Sequence, residues 1–246
     1  MLANTLQSGD TNVMRILVLG VGKTGKLVAE IAAERGHSVH VLDATENKDA
    51  SALTPPFVAG FDVVIDFTTP EAVVQNMRAC LATGARMVIG TTGWYDKLAD
   101  MKALAERRGA SLLYATNFSI GVQLLFELAK TMSSQLKDAG YQFSISETHH
   151  QSKLDAPSGT ALTLRDSVLA GLGVENPAAK DIPIEAHRTG EVAGIHTLTA
   201  ASPSDRLILT HESTSRRPFA EGAVRAAEWL STRNGVYDFR DVVPSL

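Results

Sequence analysis

Two short stretches of the chain gather residue types that do chemistry together. The first is Gly20-Val21-Gly22-Lys23-Thr24-Gly25, a G-x-G-x-x-G run. Where such a run leaves a strand and opens a helix, the first glycine permits the tight turn and the second lets a pyrophosphate approach the backbone. The third allows close helix–strand packing. The helix start beyond it offers free N–H groups and the positive end of a dipole. Asp43 stands 18 residues after Gly25, near the spacing of roughly 20 at which a strand-ending acid accepts hydrogen bonds from an adenosine ribose. Its charge repels a 2′-phosphate, and Ala44 rather than an arginine follows it. The expected cofactor is therefore NADH, with NADPH admitted through Lys48.

The second stretch is "ETHHQSKLDAPSGTA", residues 147–161. Adjacent side chains on an extended segment point to opposite faces, so His149 and His150 are poorly placed to chelate one metal together. No C-x-x-C or H-E-x-x-H spacing occurs in the chain, and no metal is expected. Instead, one histidine is expected to face a cleft as proton donor while the other binds or packs. Asp155, Pro157, Ser158 and Thr160 read as a turn feeding a helix, with hydroxyls suited to N-capping. The same helix start, through the amides of Gly159 and Thr160, is a ready carboxylate site. Lys153 and His150 add cationic donors. A cationic, amide-rich pocket with a proton donor, set beside a nicotinamide, suits reduction of a small polycarboxylate.

The elements that must position these residues follow from periodicity. "RILVLG", "SVHVLD", "FDVVIDFT", "RMVIGTTG" and "SLLYATN" read as buried strands, and helices such as "PEAVVQNMRACLATG" separate most of them. That alternation predicts right-handed βαβ units and a parallel sheet. The turns "GTTG" (Gly90, Thr91, Thr92) and "ATNF" (Ala115, Thr116, Asn117, Phe118) fall at the carboxyl ends of strands, where ligands bind in open α/β sheets. After Asn117 the pattern changes to a long apolar helix, an alternating strand ending in the two histidines, a helix, and two strands read as antiparallel. This predicts a second, α+β domain. The final helix and tail, from Pro218 on, could close on either domain by periodicity alone.

Composition is that of an ordinary globular protein: 246 residues, 44% hydrophobic, 20% charged, net charge −4. There is no basic footprint for nucleic acid and no apolar run of membrane-spanning length. Residues 1–13 are polar and read as a disordered leader rather than a signal peptide. Cys80 is the only cysteine and falls on an amphipathic helix, so it is expected to be a buried apolar thiol. A cytoplasmic protein is expected.

The second stretch matches the pattern E-x-H-H-x-x-K-x-D-A-P-S-G-T-A, and with it the chain resembles the 4-hydroxy-tetrahydrodipicolinate reductase (dihydrodipicolinate reductase) family of lysine biosynthesis. The resemblance extends through "DFTTPE", "GTTG", "NFSIGV", "RTGEVAGIHT" and "SRRPFAEGAVRAAEWL". It implies an α/β fold with a Rossmann-like dinucleotide-binding domain (14–117 and 217–246) and an α+β domain (118–216) for substrate binding and oligomerisation. It implies His149 as proton donor and Lys153 as second acid and binder. His150, Ser158, Gly159 and Thr160 would hold the substrate, a small dicarboxylate. Gly20 to Gly25, Asp43, Gly90 to Thr92 and Ala115 to Phe118 would line the cofactor. The implied reaction delivers hydride to C4 of dihydrodipicolinate and a proton from His149 to the ring carbon, within a homotetramer whose domains close on hinges near Asn117 and Arg217.

Three features depart from the family's pattern. Gln123 stands where many members have asparagine, the first glycine turn is one residue tighter, and the segment after Asp43 is short, which leaves the adenosine side open. Two other readings are less consistent with the residues. Another two-domain dehydrogenase, for amino acids or semialdehydes, has no need of the His-His-x-x-Lys run before Ser-Gly-Thr. A non-catalytic NAD-responsive binding protein has no need of the His149/Lys153 pair.

Overall fold

A computed structural model describes residues 13–153, 155–174 and 181–246. The expected leader lies outside these residues apart from Val13, which is exposed. Six parallel strands form the first sheet: β1 (Arg15–Leu19), β2 (Ser38–Leu42), β3 (Val63–Asp66), β4 (Arg86–Ile89), β5 (Ser111–Tyr114) and β10 (Val236–Asp238). Their spatial order is β10-β5-β4-β3-β1-β2, so the chain reverses direction across the sheet between β1 and β3. Ligands bind beyond the carboxyl ends of strands at such a reversal.

Buried β residues alternate between two faces, and each face has its own core. Ile16, Val18, Ile65 and Leu113 pack with helices α1 (Lys23–Glu34) and α7 (Arg217–Leu230). Leu17, Leu19, Val64 and Met87 pack with helices α3 (Pro70–Ala82) and α4 (Leu98–Arg108). Cys80 lies in the second of these cores, and burial, assisted by the charge of Asp66, pushes its thiol up to about 12. It is a packing residue.

The second sheet has the order β7-β6-β8-β9. It comprises β6 (Gln142–His149), β7 (Ile184–Arg188), β8 (Gly194–Ala201) and β9 (Arg206–Ser213). Helices α5 (Ile120–Leu136) and α6 (Gly159–Leu172) cover one face through Phe126, Ala129, Leu164 and Val168 against Phe143, Ile145 and Leu198. On the edge strand β9, Leu207 and Ile208 are exposed.

Several elements differ from the sequence reading. The strand β7 has only one large apolar residue, Ile184, and is mostly exposed along its edge, so no alternation marks it. It pairs parallel to β6, with α6 in the crossover, which makes the second sheet mixed rather than purely antiparallel. The tail beyond α7 contains β10, three residues paired to β5, too short for a periodic signal. Both α7 and β10 therefore return to the first sheet. A 3-10 turn, Tyr95–Lys97, leads into α4. The linker after Asp43 carries a short helix, α2 (Pro55–Val58), with two prolines at its start.

Candidate active site

At the end of β1, Gly20 has φ +102° and lies so close to β3 that a Cβ would stand 2.4 Å from the Phe67 carbonyl oxygen. Only glycine takes that conformation without strain. A Cβ on Gly25 would meet the Gly20 carbonyl oxygen at 2.1 Å, whereas one on Gly22 would meet nothing within 4 Å. The first and third glycines therefore serve packing, and the second leaves the backbone open to a ligand. Gly20, Val21, Gly22 and Asp43 line a cavity of about 440 Å³ together with Asn47 and Lys48. That volume lies within the ~300–1,000 Å³ of ordinary ligand pockets. One oxygen of Asp43 accepts from the backbone N–H groups of Thr45 and Glu46, at 2.7 and 2.9 Å, which fixes the carboxylate at the rim.

The short segment after Asp43 walls this cavity rather than leaving it open. Asp49 and Ala50 both take left-handed conformations (φ 53° and 59°), and the turn they form brings Asn47, Lys48 and Asp49 to the cavity. Asn47 Oδ1 is buried without a hydrogen-bond partner among the described residues, while its Nδ2 donates to Asn76 Oδ1 at 2.9 Å. Asn76 in turn donates to Asp66 at 2.8 Å. An orphaned acceptor beside a glycine cradle fits a ligand with hydroxyl or amino donors, as the adenosine end of a dinucleotide has.

Asp66 is the buried hub beneath this floor. It accepts from Asn76, from the Thr68 N–H and hydroxyl, and from the Thr91 hydroxyl at 2.8 Å. Burial raises its pKa, against the lowering effect of those bonds. Thr91 is thus a support whose hydroxyl points into the scaffold. No sequence signal singled out Asn47 or Asn76, and "DFTTPE" gave Asp66 no role, because their roles exist only once β3, α3 and the turn after β2 meet.

A second cavity, of about 200 Å³, lies between the two sheets. Phe67 lines both cavities. Its ring is admitted by Gly90, where a Cβ would stand 2.1 Å from Phe67 Cζ. From α1 and the turns after β4 and β5 come Thr24, Gly90, Thr92, Thr116, Asn117 and Phe118; from β6, the turn after it and the start of α6 come His149, His150, Lys153 and Thr160. Asn117 Nδ2 donates to Thr160 Oγ1 at 3.2 Å, and Gln123, at the position that departs from the family's pattern, donates to the Asn117 carbonyl oxygen. Arg216, at the start of α7, also lines this cavity, and among the described residues its side chain has no ion-pair or hydrogen-bond partner. It is a functional candidate that sequence reasoning missed.

The strand β6 ends at His149, and His150 starts the turn that follows. Strand alternation therefore stops between them, and both imidazoles reach the same cavity. His150 bonds Ser152 Oγ at 2.8 Å. Its pKa is lowered first by burial and then by the charges of Arg216, Lys153, His149 and Lys23. Lys153 pairs with Asp155 at 2.7 Å. The cavity is thus a cationic one.

The remaining expected residues sit at its margins. Lys23 reaches across to Glu191 at 2.6 Å. Ala115 opens onto a separate cavity of about 180 Å³ behind Asn117. Ser158 is the N-cap of α6: its hydroxyl accepts from the Ala161 N–H at 3.1 Å and donates to Glu147. Gly159 follows it as the first residue of α6, leaving its amide at the helix start.

Glu147 is fully buried. Its Oε1 accepts from the Ser158 N–H at 2.9 Å and from Arg188 at 3.1 Å. Its Oε2 accepts from the Ser158 hydroxyl and lies 3.3 Å from His149 Nδ1 and 3.6 Å from His196 Nε2. Burial raises its pKa, but the close approach of the His149 and His196 rings and the hydrogen bonds from Ser158 outweigh this and hold the carboxyl far below the usual range. Glu147, His149 and His196 bring ligand-type atoms within 4.8 Å of one another, yet both Glu147 oxygens already accept from Ser158 and one holds a guanidinium. The arrangement is that of an ion-pair cage.

Residues 14–118 match the N-terminus, and residues 121–243 the C-terminus, of dihydrodipicolinate reductase. The chain belongs to the dihydrodipicolinate reductase family. It is 36% identical over 242 residues to a protein of Christiangramia forsetii named 4-hydroxy-tetrahydrodipicolinate reductase, covering 95% of this chain and 99% of that protein. A protein of the same name from Chromobacterium violaceum is 42% identical over 202 residues, 75% of this chain and 74% of that one. Among solved structures, the dipicolinate-bound dihydrodipicolinate reductase of Paenisporosarcina sp. TG-14 superposes with a TM-score of 0.70 at 23% identity, covering 94% of this chain and all of that one. The reductase fold, a Rossmann-like sheet followed by a second mixed sheet, is the fold found here. Among the described residues no helix is long and apolar enough to cross a membrane.

Proposed function

We propose that this chain reduces 4-hydroxy-tetrahydrodipicolinate, by way of dihydrodipicolinate, to tetrahydrodipicolinate, using NADH in preference to NADPH. The observation that carries the reading is the cavity between the sheets. There the buried imidazole of His149 meets Lys153, Arg216 and the start of α6 on one side, and Thr24, Gly90 and Thr92 of the cofactor side on the other. Two carboxylates need such a set: cations for charge, and helix-start amides for geometry.

The cradle fits a nicotinamide dinucleotide, with Gly20, Val21, Gly22 and Asp43 at the adenosine end and Gly90, Thr92, Asn117 and Phe118 towards the second cavity. Bound there, the nicotinamide supplies the hydride that substrate C4 accepts. The chain's own groups do the rest. Lys153, Arg216 and the Gly159 and Thr160 amides hold the carboxylates and stabilise charge that spreads to the ring nitrogen and C3. His149 gives C3 its proton, a task suited to an imidazole near neutrality. Phe67 and Phe118 exclude water from the wall between the cavities.

The same reading assigns residues 14–117 and 217–246 to cofactor binding and 118–216 to substrate binding and assembly, with hinges near Asn117 and Arg217. The exposed Leu207 and Ile208 on β9 support assembly through the second sheet, as a homotetramer, and light scattering tests it. A lone buried thiol supports a reducing, cytoplasmic location. The decisive assay follows NADH and NADPH oxidation on substrate made by condensing pyruvate with aspartate semialdehyde. Oxidation of NADH faster than NADPH is expected, and no oxidation of either sinks the proposal.

A further inference from the structure

The acid His149 stands beside a carboxylate to which no role has been assigned. The two share one face of β6, since Glu147 and His149 are two residues apart on a strand. Register places His196 of β8 opposite Glu147, and Arg188 at the end of β7 opposite His149. Each neighbour contributes one group to the cage. Among the described residues, His149 Nδ1 has no hydrogen-bond partner and is buried, so the Glu147 oxygen 3.3 Å away is its one counterpart. Apo geometry of this kind tightens when the site is loaded. On the other side of the ring, Gly194 keeps room: a Cβ there would stand 3.2 Å from Nε2.

From this geometry we infer that Glu147 is the positioning residue for His149. It holds the imidazole with Nδ1–H towards its Oε2, so that Nε2 carries the proton that is given away. With the same carboxylate it grips the N–H and hydroxyl of Ser158, and so fixes the acid relative to the α6 start that holds a substrate carboxylate. The inference rests on the reading of His149 as proton donor. In the step itself the Nε2–H bond breaks, its electron pair stays on the ring, and the enamine carbon of the substrate uses its own pair to form the C–H bond. The neutral imidazole then takes a proton from water.

The charged groups around this pair are few. Arg188 faces Glu147 from β7 and His196 faces it from β8. Across the cavity His149 meets His150, Lys153 and Arg216. Burial lowers the pKa of His196, ahead of the opposing effect of Glu147, and its Nε2 stands farther from Glu147 than His149 Nδ1 does, 3.6 against 3.3 Å.

The test is Glu147→Gln, with kcat/KM followed against pH. Activity needs the protonated acid, so the profile has a limb that falls as pH rises. Without the carboxylate to hold the protonated ring, that limb is expected to move to lower pH, and kcat falls on the order of 10- to 100-fold while the KM for NADH stays within about twofold. Ser158→Ala keeps the carboxylate and is expected to raise the substrate KM with the limb unmoved. A limb unmoved in Glu147→Gln overturns the proposal. Should that variant fail to fold, nitrogen NMR of the unaltered enzyme decides: neutral His149 protonated on Nδ1 supports the proposal, and protonation on Nε2 alone overturns it. Full turnover by His149→Gln removes the proton-donor reading itself, whereas a dead His149→Gln with an unmoved Glu147→Gln limb removes only the role of Glu147.

Discussion

Two fully buried carboxylates stand under the two cavities, and they are kept in opposite ways. Asp66, below the cofactor cavity, is held by hydroxyls, one amide and a backbone N–H. Glu147, below the catalytic cavity, is held by a guanidinium, two imidazoles and Ser158. Among the described residues no cation touches Asp66, and burial wins, raising its pKa. Around Glu147, burial loses to the nearby His149 and His196 rings and to the hydrogen bonds of Ser158, and the pKa is lowered. The difference separates two tasks. A neutral cage fixes the positions of Thr68, Thr91 and Asn76, which a cofactor floor requires. A charged cage also sets the protonation of its neighbours, which proton transfer requires.

The largest expected effect tests that division directly. His149→Gln removes the proposed acid and is expected to lower kcat by ~10²–10⁴, the usual worth of a positioned acid, with NADH binding unchanged. Thr91→Ala, on the neutral side, is expected to weaken NADH binding several-fold while kcat holds within about threefold. Stopped-flow turnover and NADH titration measure both. Equal losses of kcat in the two variants would break the comparison.

Next come the cages themselves. Arg188→Leu leaves Glu147 buried with one cation fewer, and breaking a buried pair from one side costs ~3–5 kcal/mol. Asn76→Ala strips a neutral bond from Asp66 and is expected to cost about 1–3 kcal/mol, the range for an unsatisfied buried group. Denaturant unfolding of the two variants measures the gap. Equal losses would mean that charge adds nothing to the second cage.

The titrations give opposite slopes. A raised carboxyl such as Asp66 contributes stability that is full below its unfolded pKa of ~3.9 and is lost as pH rises through the folded value. A lowered one such as Glu147 contributes stability present above its unfolded pKa of ~4.3 and lost as pH falls towards its folded value. His196, whose pKa burial lowers, adds to the acid-side loss, because stability it lends is lost as pH falls through its folded value. In melting curves taken from pH 3 to pH 7, Glu147→Gln should therefore flatten the fall of Tm on the acid side. Asp66→Asn should instead remove a penalty that grows as pH rises. Shifts of the same sign in both variants would erase the contrast.

How much of this the sequence held depends on the range of the interactions. The glycine turn was legible because its residues are consecutive and its neighbours, β1 and α1, are local. The same holds for the α6 start, where Ser158, Gly159 and Thr160 sit side by side. What the sequence could not separate was contact from support: Gly25, Thr91 and the Ser158 hydroxyl all face the scaffold. Glu147 opens the very stretch that stood out, yet its meaning depends on Arg188 and His196. Those come from two other strands, one of them the charged edge strand β7 that carries no periodic signal. Arg216 was hidden similarly, since nothing local places the start of α7 against a cavity built from Asn117, His149 and Lys153. Long-range assembly made these groups a site.

The smallest effect expected concerns the rim of the neutral side, where a single charge acts without a cage. Asp43 has one oxygen tied to the Thr45 and Glu46 N–H groups, so its charge stays at the cavity edge whether or not a ribose is bound. Lys48 lines the same cavity and offsets part of that charge towards a 2′-phosphate. Asp43→Ser keeps a hydroxyl acceptor able to occupy the same turn and removes the repulsion. The ratio of kcat/KM for NADH over NADPH is then expected to fall about tenfold, ~1.4 kcal/mol, chiefly through a lower KM for NADPH. Raising ionic strength should shrink the effect, because a charge at the rim is screened where one in a buried cage is not. A ratio unchanged by the substitution would assign the discrimination to Lys48 or to the Asn47 acceptor below it, and would make the neutral floor, rather than its charged rim, the element that reads the cofactor.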